Sequence, residues 1–182
     1  MSSLTPLRHL VLVGLMGTGK TTTGRILAAR LGWPMVDSDA EIEAGEGRTV
    51  RELRDELGTD AMHDVEARAL LRALARPGPD VVGAAASTID RDDCREALRG
   101  EGVAVAWVTA SPAVAAARFR GDDHRPRYGD DIEAFLARQL RERAPHFRSL
   151  DPVEVSTDAR TPDEVADAVL EGLRARGIDI DD

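Results

Sequence analysis

The segment Gly14-Leu15-Met16-Gly17-Thr18-Gly19-Lys20-Thr21 decides the fold of this chain. It follows an apolar run, His9–Val13, that is typical of a buried strand, and it leads into a helical pattern over residues 19–31. Glycines let the backbone curl until several N–H groups point at one anion, and the following helix aims its positive end at the same place. The spacing Gly-x-x-x-x-Gly-Lys-Thr therefore predicts a loop that binds the phosphates of a nucleoside triphosphate, ATP with Mg²⁺.

Lys20 is the single lysine in a chain that also contains 23 arginines. A bias toward arginine codons explains the arginines but leaves the lysine to be explained. A close-packed phosphate loop has room for a slim ammonium group and not for a planar guanidinium. We therefore expect Lys20 to neutralise the β- and γ-phosphates, and the hydroxyl of Thr21 to ligate Mg²⁺. The full set predicted to bind the nucleotide in this loop is Gly14, Met16, Gly17, Thr18, Gly19, Lys20, Thr21 and Thr22.

Bulk composition restricts the class of protein. A chain of 182 residues with this balance of apolar and charged groups predicts a single globular domain over residues 1–182. The net charge of −9 argues against nucleic acid as a partner, and the lack of a long apolar run argues against a membrane span. The one cysteine, Cys94, cannot form an internal disulfide, which predicts a cytoplasmic location. We expect a monomer, with a weak homodimer as the alternative.

Short apolar runs alternate with helical patterns along the whole chain. This alternation predicts an α/β fold with a parallel sheet that is covered on both faces. The predicted strands are His9–Val13, Met35–Asp37, residues 81–86, Val103–Thr109 and Val153–Ser156. Gly45 and Gly47 are predicted to break the helix that starts at Asp39. Thr59 or Asp60 is predicted to cap a long helix that ends near residue 76.

Two carboxylates, Asp37 and Asp39, come at the end of the second predicted strand. In open α/β sheets, ligands bind beyond the carboxyl ends of the strands. One carboxylate could hold Mg²⁺ through water while the other orients a substrate hydroxyl and accepts its proton. The alternative is that Asp39 only caps the next helix. No strand after the loop ends in the aspartate that motor ATPases and GTPases use for Mg²⁺, which favours a small-molecule kinase.

Arginines cluster in and around residues 121–129, a charged segment with little apolar content. A loop of this kind could close over bound phosphates, stabilise charge in the transition state and exclude water. Composition alone favours the alternative given next, and a lid over residues 121–129 becomes the interpretation only with the family resemblance described below. The alternative is an exposed loop whose charge is balanced by neighbouring aspartates. The arginines concerned are Arg118, Arg120, Arg125 and Arg127.

From about residue 10 to residue 173 the chain resembles the shikimate kinase family. Many motifs occur in the family's order and spacing, which chance similarity rarely produces. They are the phosphate loop, Gly24-Arg25, Leu31-Gly32, Asp37-Ser38-Asp39, Gly47-Arg48-Thr49-Val50, Gly58, Glu66, Arg125-Pro126 and Arg143-Ala144-Pro145-His146-Phe147. The resemblance implies a P-loop NTPase fold of the nucleoside-monophosphate-kinase type: a three-layer α/β/α structure with a five-stranded parallel sheet and a lid loop.

The resemblance also implies residue roles in transfer of the ATP γ-phosphate to a ring hydroxyl. Lys20, Asp39 and Arg125 would be catalytic, with Asp39 as the base and Arg125 as the lid arginine that reaches the phosphates. Thr21 and Asp37 would serve the metal. Further binding residues implied are Arg118, Arg160 and Pro162 near adenine, and Arg143 on the acceptor carboxylate.

Two departures from the family fall in the implied acceptor pocket. Where the family has a Phe-Arg pair whose arginine binds the acceptor carboxylate, this chain has Met62-His63. Losing one such charged partner costs on the order of 2 kcal/mol of binding. Where the family has three glycines, this chain has Ala85-Ala86-Ser87, and side chains with a Cβ resist positive φ. These changes predict weaker binding of shikimate.

The first hypothesis from the sequence is therefore a small-molecule kinase whose acceptor is shikimate or a related cyclitol or polyol. The second is a catalytically idle ATP-binding protein that senses or regulates. The presence of a candidate acceptor base, Asp39, argues against it, because a sensor does not need one. A third, a chaperone-like or motor ATPase, is disfavoured by the short chain.

Overall fold

The computed structural model describes residues 6–119 and 131–180. The strands are β1 (His9–Val13), β2 (Met35–Asp37), β3 (Asp80–Gly83), β4 (Val103–Thr109) and β5 (Val153–Ser156). The helices are α1 (Lys20–Leu31), α2 (Ser38–Glu46), α3 (Val50–Leu57), α4 (Thr59–Leu74), α5 (Asp92–Leu98), α6 (Pro112–Phe119), α7 (Ile132–Arg148) and α8 (Pro162–Ala175). A 3-10 helix covers Ala86–Asp90. The segment interpreted as a lid, residues 121–129, and with it Arg120, Arg125 and Arg127, lies outside the described residues.

The five strands form one parallel sheet in the order β2-β3-β1-β4-β5. β1 is central, because His9 pairs in register with Asp80 of β3 on one side and Val103 of β4 on the other. Parallel neighbours need long crossovers, which the helices supply. The loop after β1 thus lies at the carboxyl edge of the middle strand, where sheets of this kind bind ligands. The predicted five-stranded parallel sheet is confirmed.

Both faces of the sheet are buried. Val11 and Val13 of β1 belong to one apolar cluster, whose centre includes Trp107 stacked on Phe147 with ring centroids 5.1 Å apart. The alternate residues of β1 pack in a second cluster with α1 and α8, as successive side chains of a strand point to opposite faces. This explains why β1 is a continuous apolar run rather than an alternating one.

A third, smaller cluster fixes α3 and α4 beside the sheet. Ile42 of α2, Leu53 of α3 and Met62 of α4 pack together and are almost fully buried. The residues that follow two of them, Arg54 and His63, are only partly buried and line a cavity described below. The cluster thus anchors the helices while presenting polar neighbours to that cavity.

Some predicted element boundaries are wrong. α2 passes through Gly45 and ends before Gly47, which adopts a left-handed conformation with φ of 67°. α4 ends at Leu74, earlier than predicted, and its N-cap is Gly58 rather than Thr59 or Asp60. Tertiary packing of α2 against α4 explains why one glycine is tolerated inside a helix.

The strand predicted over residues 81–86 is also shifted. β3 begins at Asp80, whose carboxylate is buried against the ring of His9 at 2.6 Å. It ends at Gly83, because the Thr88 hydroxyl donates to the Ala85 carbonyl oxygen at 2.7 Å and closes a turn. Within residues 6–119 and 131–180, none of the helices combines the length and apolar character needed to cross a bilayer.

Candidate active site

Two glycines of the phosphate loop are required by close backbone approach. Gly14 has φ of 145°, and a Cβ at this position would lie 2.2 Å from the carbonyl oxygen of Val108. Gly17 has φ of 76°, and its Cβ would lie 2.5 Å from the carbonyl oxygen of Ala115. Any side chain here would collide with β4 or α6, so the loop is held tightly against the sheet edge.

Lys20 begins α1 and its ammonium group lies across the loop. Its Nζ donates to the carbonyl oxygens of Gly14 at 2.9 Å and Leu15 at 2.8 Å. The buried hydroxyl of Thr18 donates to the same Leu15 oxygen at 2.8 Å. The loop is therefore shaped by its own side chains, and its single lysine is positioned where an anion would meet the positive end of α1.

Asp37 joins the loop to the second strand. Its Oδ2 accepts a hydrogen bond from the Thr21 hydroxyl at 2.8 Å. Its Oδ1 accepts from the backbone N–H groups of Asp39 at 3.1 Å and Ala40 at 3.4 Å, so Asp37 is the N-cap of α2. The alternative that Asp39 caps this helix is wrong. Asp39 instead lies in the first turn of α2 and faces the cavity.

A single open cavity of about 800 Å³ extends from the phosphate loop to α7. Its size lies within the range of small-molecule sites. Most residues predicted for the site line it: Met16, Gly17, Gly19, Lys20, Thr21, Thr22, Asp37, Asp39, His63, Ala85, Ala86, Ser87, Arg118 and Arg143. Lining residues that were not predicted for the site include Arg25, Arg54, Glu66, Phe135 and Gln139.

Four described residues that were predicted to bind the nucleotide do not line this cavity: Gly14, Thr18, Arg160 and Pro162. Gly14 and Thr18 shape the loop without lining the cavity. Arg118 lines it, with its guanidinium held by Thr157 through bonds of 2.7 Å to Oγ1 and 3.2 Å to the carbonyl oxygen. Arg160 donates to the carbonyl oxygen of Ser156 at 2.9 Å, and neither it nor Pro162 is among the lining residues. The adenine role of these two stays a prediction.

Ala85, Ala86 and Ser87 do not require the glycine-like backbone that the sequence suggested. Ala85 has φ of −63° and ψ of 144°, an ordinary extended conformation. Among the described residues, Asp151 is the one non-glycine residue with positive φ. The expectation that a Cβ is strained at residues 85–87 is therefore wrong, although all three side chains still narrow this side of the cavity.

Ser87 donates a hydrogen bond to the carboxyl of Glu66, which projects from α4 and is buried. Burial raises the pKa of Glu66 above its ordinary value, and the bond from Ser87 opposes that rise. The nearby charge of Asp39 also raises it, while Arg54 and Arg143 lower it. This carboxyl therefore shares its surroundings with the acceptor-side acid and two arginines.

Arg143 of α7 is held by Asp90, the last residue of the 3-10 helix. Its Nε donates to both carboxylate oxygens of Asp90 at 3.0 and 2.9 Å, and its Nη2 donates at 2.6 Å. The Arg143 side chain is only 10% exposed. Because the Arg143 guanidinium is buried and bound to Asp90 through two nitrogens, its orientation is fixed.

Arg54 was missed by the sequence reasoning, which counted His63 as the loss of a cation. The Nη2 of Arg54 lies 3.3 Å from the Nε2 of His63. Burial, followed by the positive charges of Arg54 and Arg143, lowers the pKa of His63. A guanidinium is therefore present beside His63, supplied by α3 rather than by α4.

These features define a P-loop phosphotransferase, with a phosphate loop at one end of the cavity and a polar acceptor side at the other. A sequence profile described as shikimate kinase matches residues 16–174. The chain belongs to the shikimate kinase family, and it is an ATP-dependent enzyme that phosphorylates a hydroxyl group of a small molecule.

Individual relatives agree with this assignment. The chain is 39% identical to a shikimate kinase of Thermobifida fusca (strain YX), over 92% of this chain and 95% of that protein. It is 37% identical to a shikimate kinase of Symbiobacterium thermophilum, over 93% of this chain and 98% of that protein. The structure of a shikimate kinase from Acinetobacter baumannii in complex with shikimate superimposes with a TM-score of 0.88, at 26% identity, covering 97% and 98% of the two chains.

Proposed function

We propose that this protein transfers the γ-phosphate of ATP to a hydroxyl of shikimate or a closely related cyclitol. The observation that carries the proposal is the continuity of the cavity, which is lined by Lys20 and Thr21 of the phosphate loop, by Asp39 and by Arg143 of α7. A donor phosphate and an acceptor hydroxyl bound in one cavity can react directly, without a carrier that moves between two sites. The relatives named shikimate kinase support this choice of acceptor.

In this proposal, each end of the cavity has a distinct task. Lys20 and the N–H groups of the phosphate loop stabilise the negative charge that develops on the transferred phosphoryl group. Asp39 accepts the proton of the attacking hydroxyl, and its position in the first turn of α2 directs it into the cavity. Arg125 would add positive charge from the lid, although it lies outside the described residues.

Thr21 and Asp37 fit a Mg²⁺ site. Their side-chain oxygens lie 2.8 Å apart at the mouth of the phosphate loop. Mg²⁺ commonly takes one or two protein oxygens and completes its shell with phosphate and water oxygens. When bound, the ion would offset the charge of the β- and γ-phosphates, and Thr21 and Asp37 would fix its position relative to Lys20.

Acceptor-dependent release of ADP tests the proposal. Purified protein with ATP and Mg²⁺ should release ADP when shikimate or a related ring polyol is added, and the phosphorylated acceptor should be detected by mass spectrometry. A Lys20→Met variant serves as the matched inactive control. If the protein binds ATP but no ring polyol in the panel stimulates ADP release, it is an ATP-binding regulator and the proposal fails.

We also propose a monomer in the cytoplasm. Leu57, at 43% exposure, is the one large apolar side chain exposed among the residues that the structure describes. Few exposed large apolar side chains among these residues support a monomer, because stable homodimers bury apolar surface. Cys94 is buried, and burial raises the pKa of its thiol to about 11, which suits an inert thiol in a reducing compartment. Light scattering of the purified protein tests the assembly state.

A further inference from the structure

The acceptor side of the cavity contains two guanidinium groups from different helices. Arg54 projects from α3 and Arg143 from α7, and both line the same cavity. Both positive charges lower the pKa of His63 and of Glu66, so each guanidinium lies within electrostatic reach of both side chains. Two such cations on one wall form a site for an anion.

His63 orients Arg54. The ring nitrogen Nε2 faces Nη2 of Arg54 at 3.3 Å, and a guanidinium can only donate. Accepting this bond at Nε2 requires a neutral His63 with its proton on Nδ1. Its neighbour Met62 is fully buried, as is Leu53 beside Arg54, so both side chains emerge from anchored backbone. The packing of α3 on α4 therefore holds Arg54 and His63 next to each other.

Asp90 orients Arg143, as His63 orients Arg54. Asp90 occupies Nε and Nη2, the side edge of the guanidinium, and Asp90 itself is not among the cavity-lining residues. The fork that includes Nη1 is the part of Arg143 left to face the cavity. A planar guanidinium can bind one carboxylate on each of these two edges.

Acidic side chains near the two arginines bear on whether this part of the cavity can bind an anion. Glu66 is buried and accepts from Ser87. Glu43 also lines the cavity, and its Oε1 accepts from the backbone N–H of Val50 at 3.0 Å. Asp39 lies on α2, toward the phosphate loop. The two arginines thus supply positive charge to the acceptor side of the cavity.

We propose that Arg54, oriented by His63, replaces an arginine at position 63 as an acceptor-recognition residue, and that with Arg143 it binds a carboxylate on the acceptor. The inference rests on the proposed function and makes it more specific: the substrate is a polyhydroxylated ring that carries a carboxylate, and uncharged polyols are poor substrates. Arg54 is a specificity-determining residue, and His63 is its positioning residue.

The test compares a charged and an uncharged acceptor of the same shape, shikimate and its methyl ester. In Arg54→Leu the KM for shikimate should rise by about tenfold or more, while kcat and the KM for ATP change little. The methyl ester should be a poor substrate of both proteins. Arg54→Lys, which keeps the charge but not the fork, should be intermediate. Arg68→Leu, an exposed arginine of α4 that does not line the cavity, is the matched control.

The role of His63 has its own pair of variants. His63→Gln keeps an acceptor oxygen for Arg54 and should retain the preference for shikimate over its ester. His63→Leu removes the acceptor and should lose much of that preference. Calorimetric binding of shikimate to the ADP-loaded wild type and Arg54→Leu repeats the comparison without turnover, so that a misfolded variant is recognised by its failure to bind ADP.

Three outcomes overturn the inference and leave the kinase assignment intact. They are an unchanged shikimate KM in Arg54→Leu, an equal rise for shikimate and its ester, and efficient use of uncharged ring polyols by the wild type. The absence of ADP release with every acceptor, charged or not, would instead remove the proposed function itself. The two failures are therefore distinguishable in one set of assays.

Discussion

The hydroxyl of Ser87 holds the buried carboxyl of Glu66, joining the 3-10 helix after β3 to the middle of α4. Glu66 is 7% exposed, so its charged form loses most of its hydration on folding. This contact links two of the segments that form the acceptor side of the cavity. It makes the acceptor side sensitive to the protonation of a single group.

That sensitivity gives the first prediction. Burial raises the pKa of Glu66 above 4.5, so over the interval between the two values the folded state binds more protons than the unfolded state. The contribution of Glu66 to stability is therefore fully present below pH 4.5 and declines as pH rises through the folded-state pKa. Glu66→Gln, which can still accept from Ser87, should melt at a higher temperature relative to wild type at about pH 8 than at about pH 5. A constant difference in melting temperature across pH would contradict the assigned direction.

Lys20→Met should abolish phosphoryl transfer and leave the fold nearly unchanged. The Lys20 ammonium donates to the loop carbonyl oxygens of Gly14 and Leu15 and lies where phosphate charge develops. Turnover and thermal melting should be measured on the same preparation. Retention of more than about a tenth of the activity would count against the phosphate-loop assignment, because loss of a transition-state cation costs several powers of ten.

Asp39→Asn should lower turnover far more than ATP affinity. Asp39 faces the cavity from the first turn of α2 and is not the cap of that helix. The substitution removes the proton acceptor but keeps the size of the side chain. ATP binding by calorimetry and kcat by ADP release separate the two effects. A collapse of ATP binding with unchanged acceptor affinity would place Asp39 in the nucleotide site instead.

Asp37 should show two separable functions. Asp37→Ala removes both the cap of α2 and the partner of Thr21, and the cap alone should cost about 1 kcal/mol of stability. Asp37→Asn keeps a capping oxygen but loses the charge. The asparagine variant should therefore melt near wild type yet need more Mg²⁺ for half-maximal activity, whereas the alanine variant should be impaired in both. Equal Mg²⁺ dependence in all three proteins would refute the metal role.

The nucleotide end of the site could be predicted from the sequence because its determinants are local. The strand, the glycine spacing and the start of α1 follow one another within residues 9–31. A side chain at Gly14 or Gly17 would collide with neighbouring backbone, so the need for glycine at these positions is visible in the sequence motif itself. The fold class followed from the alternation of strands and helices. These are properties of neighbouring residues, and the structure confirms the parallel sheet that they imply.

The acceptor side could not be predicted in the same way, because its contacts join distant residues. Arg143 contacts Asp90, which lies 53 positions earlier in the chain. Arg54 contacts His63 because α3 packs on α4. This packing cannot be inferred from the presence of histidine at position 63 alone. Reading position 63 alone suggested that a charge had been lost, whereas the fold brings a different side chain to the same place.

The two ends of the cavity differ in how they are encoded. The phosphate loop is one uninterrupted stretch whose backbone is wedged against β4 and α6, while the acceptor wall is assembled from α3, α4, the 3-10 helix and α7. A substitution in the phosphate loop disturbs several backbone contacts at once. A substitution on the acceptor side replaces one side chain and leaves the other three elements in place. A single substitution in the acceptor wall can consequently change which acceptor binds while the phosphate loop keeps its conformation.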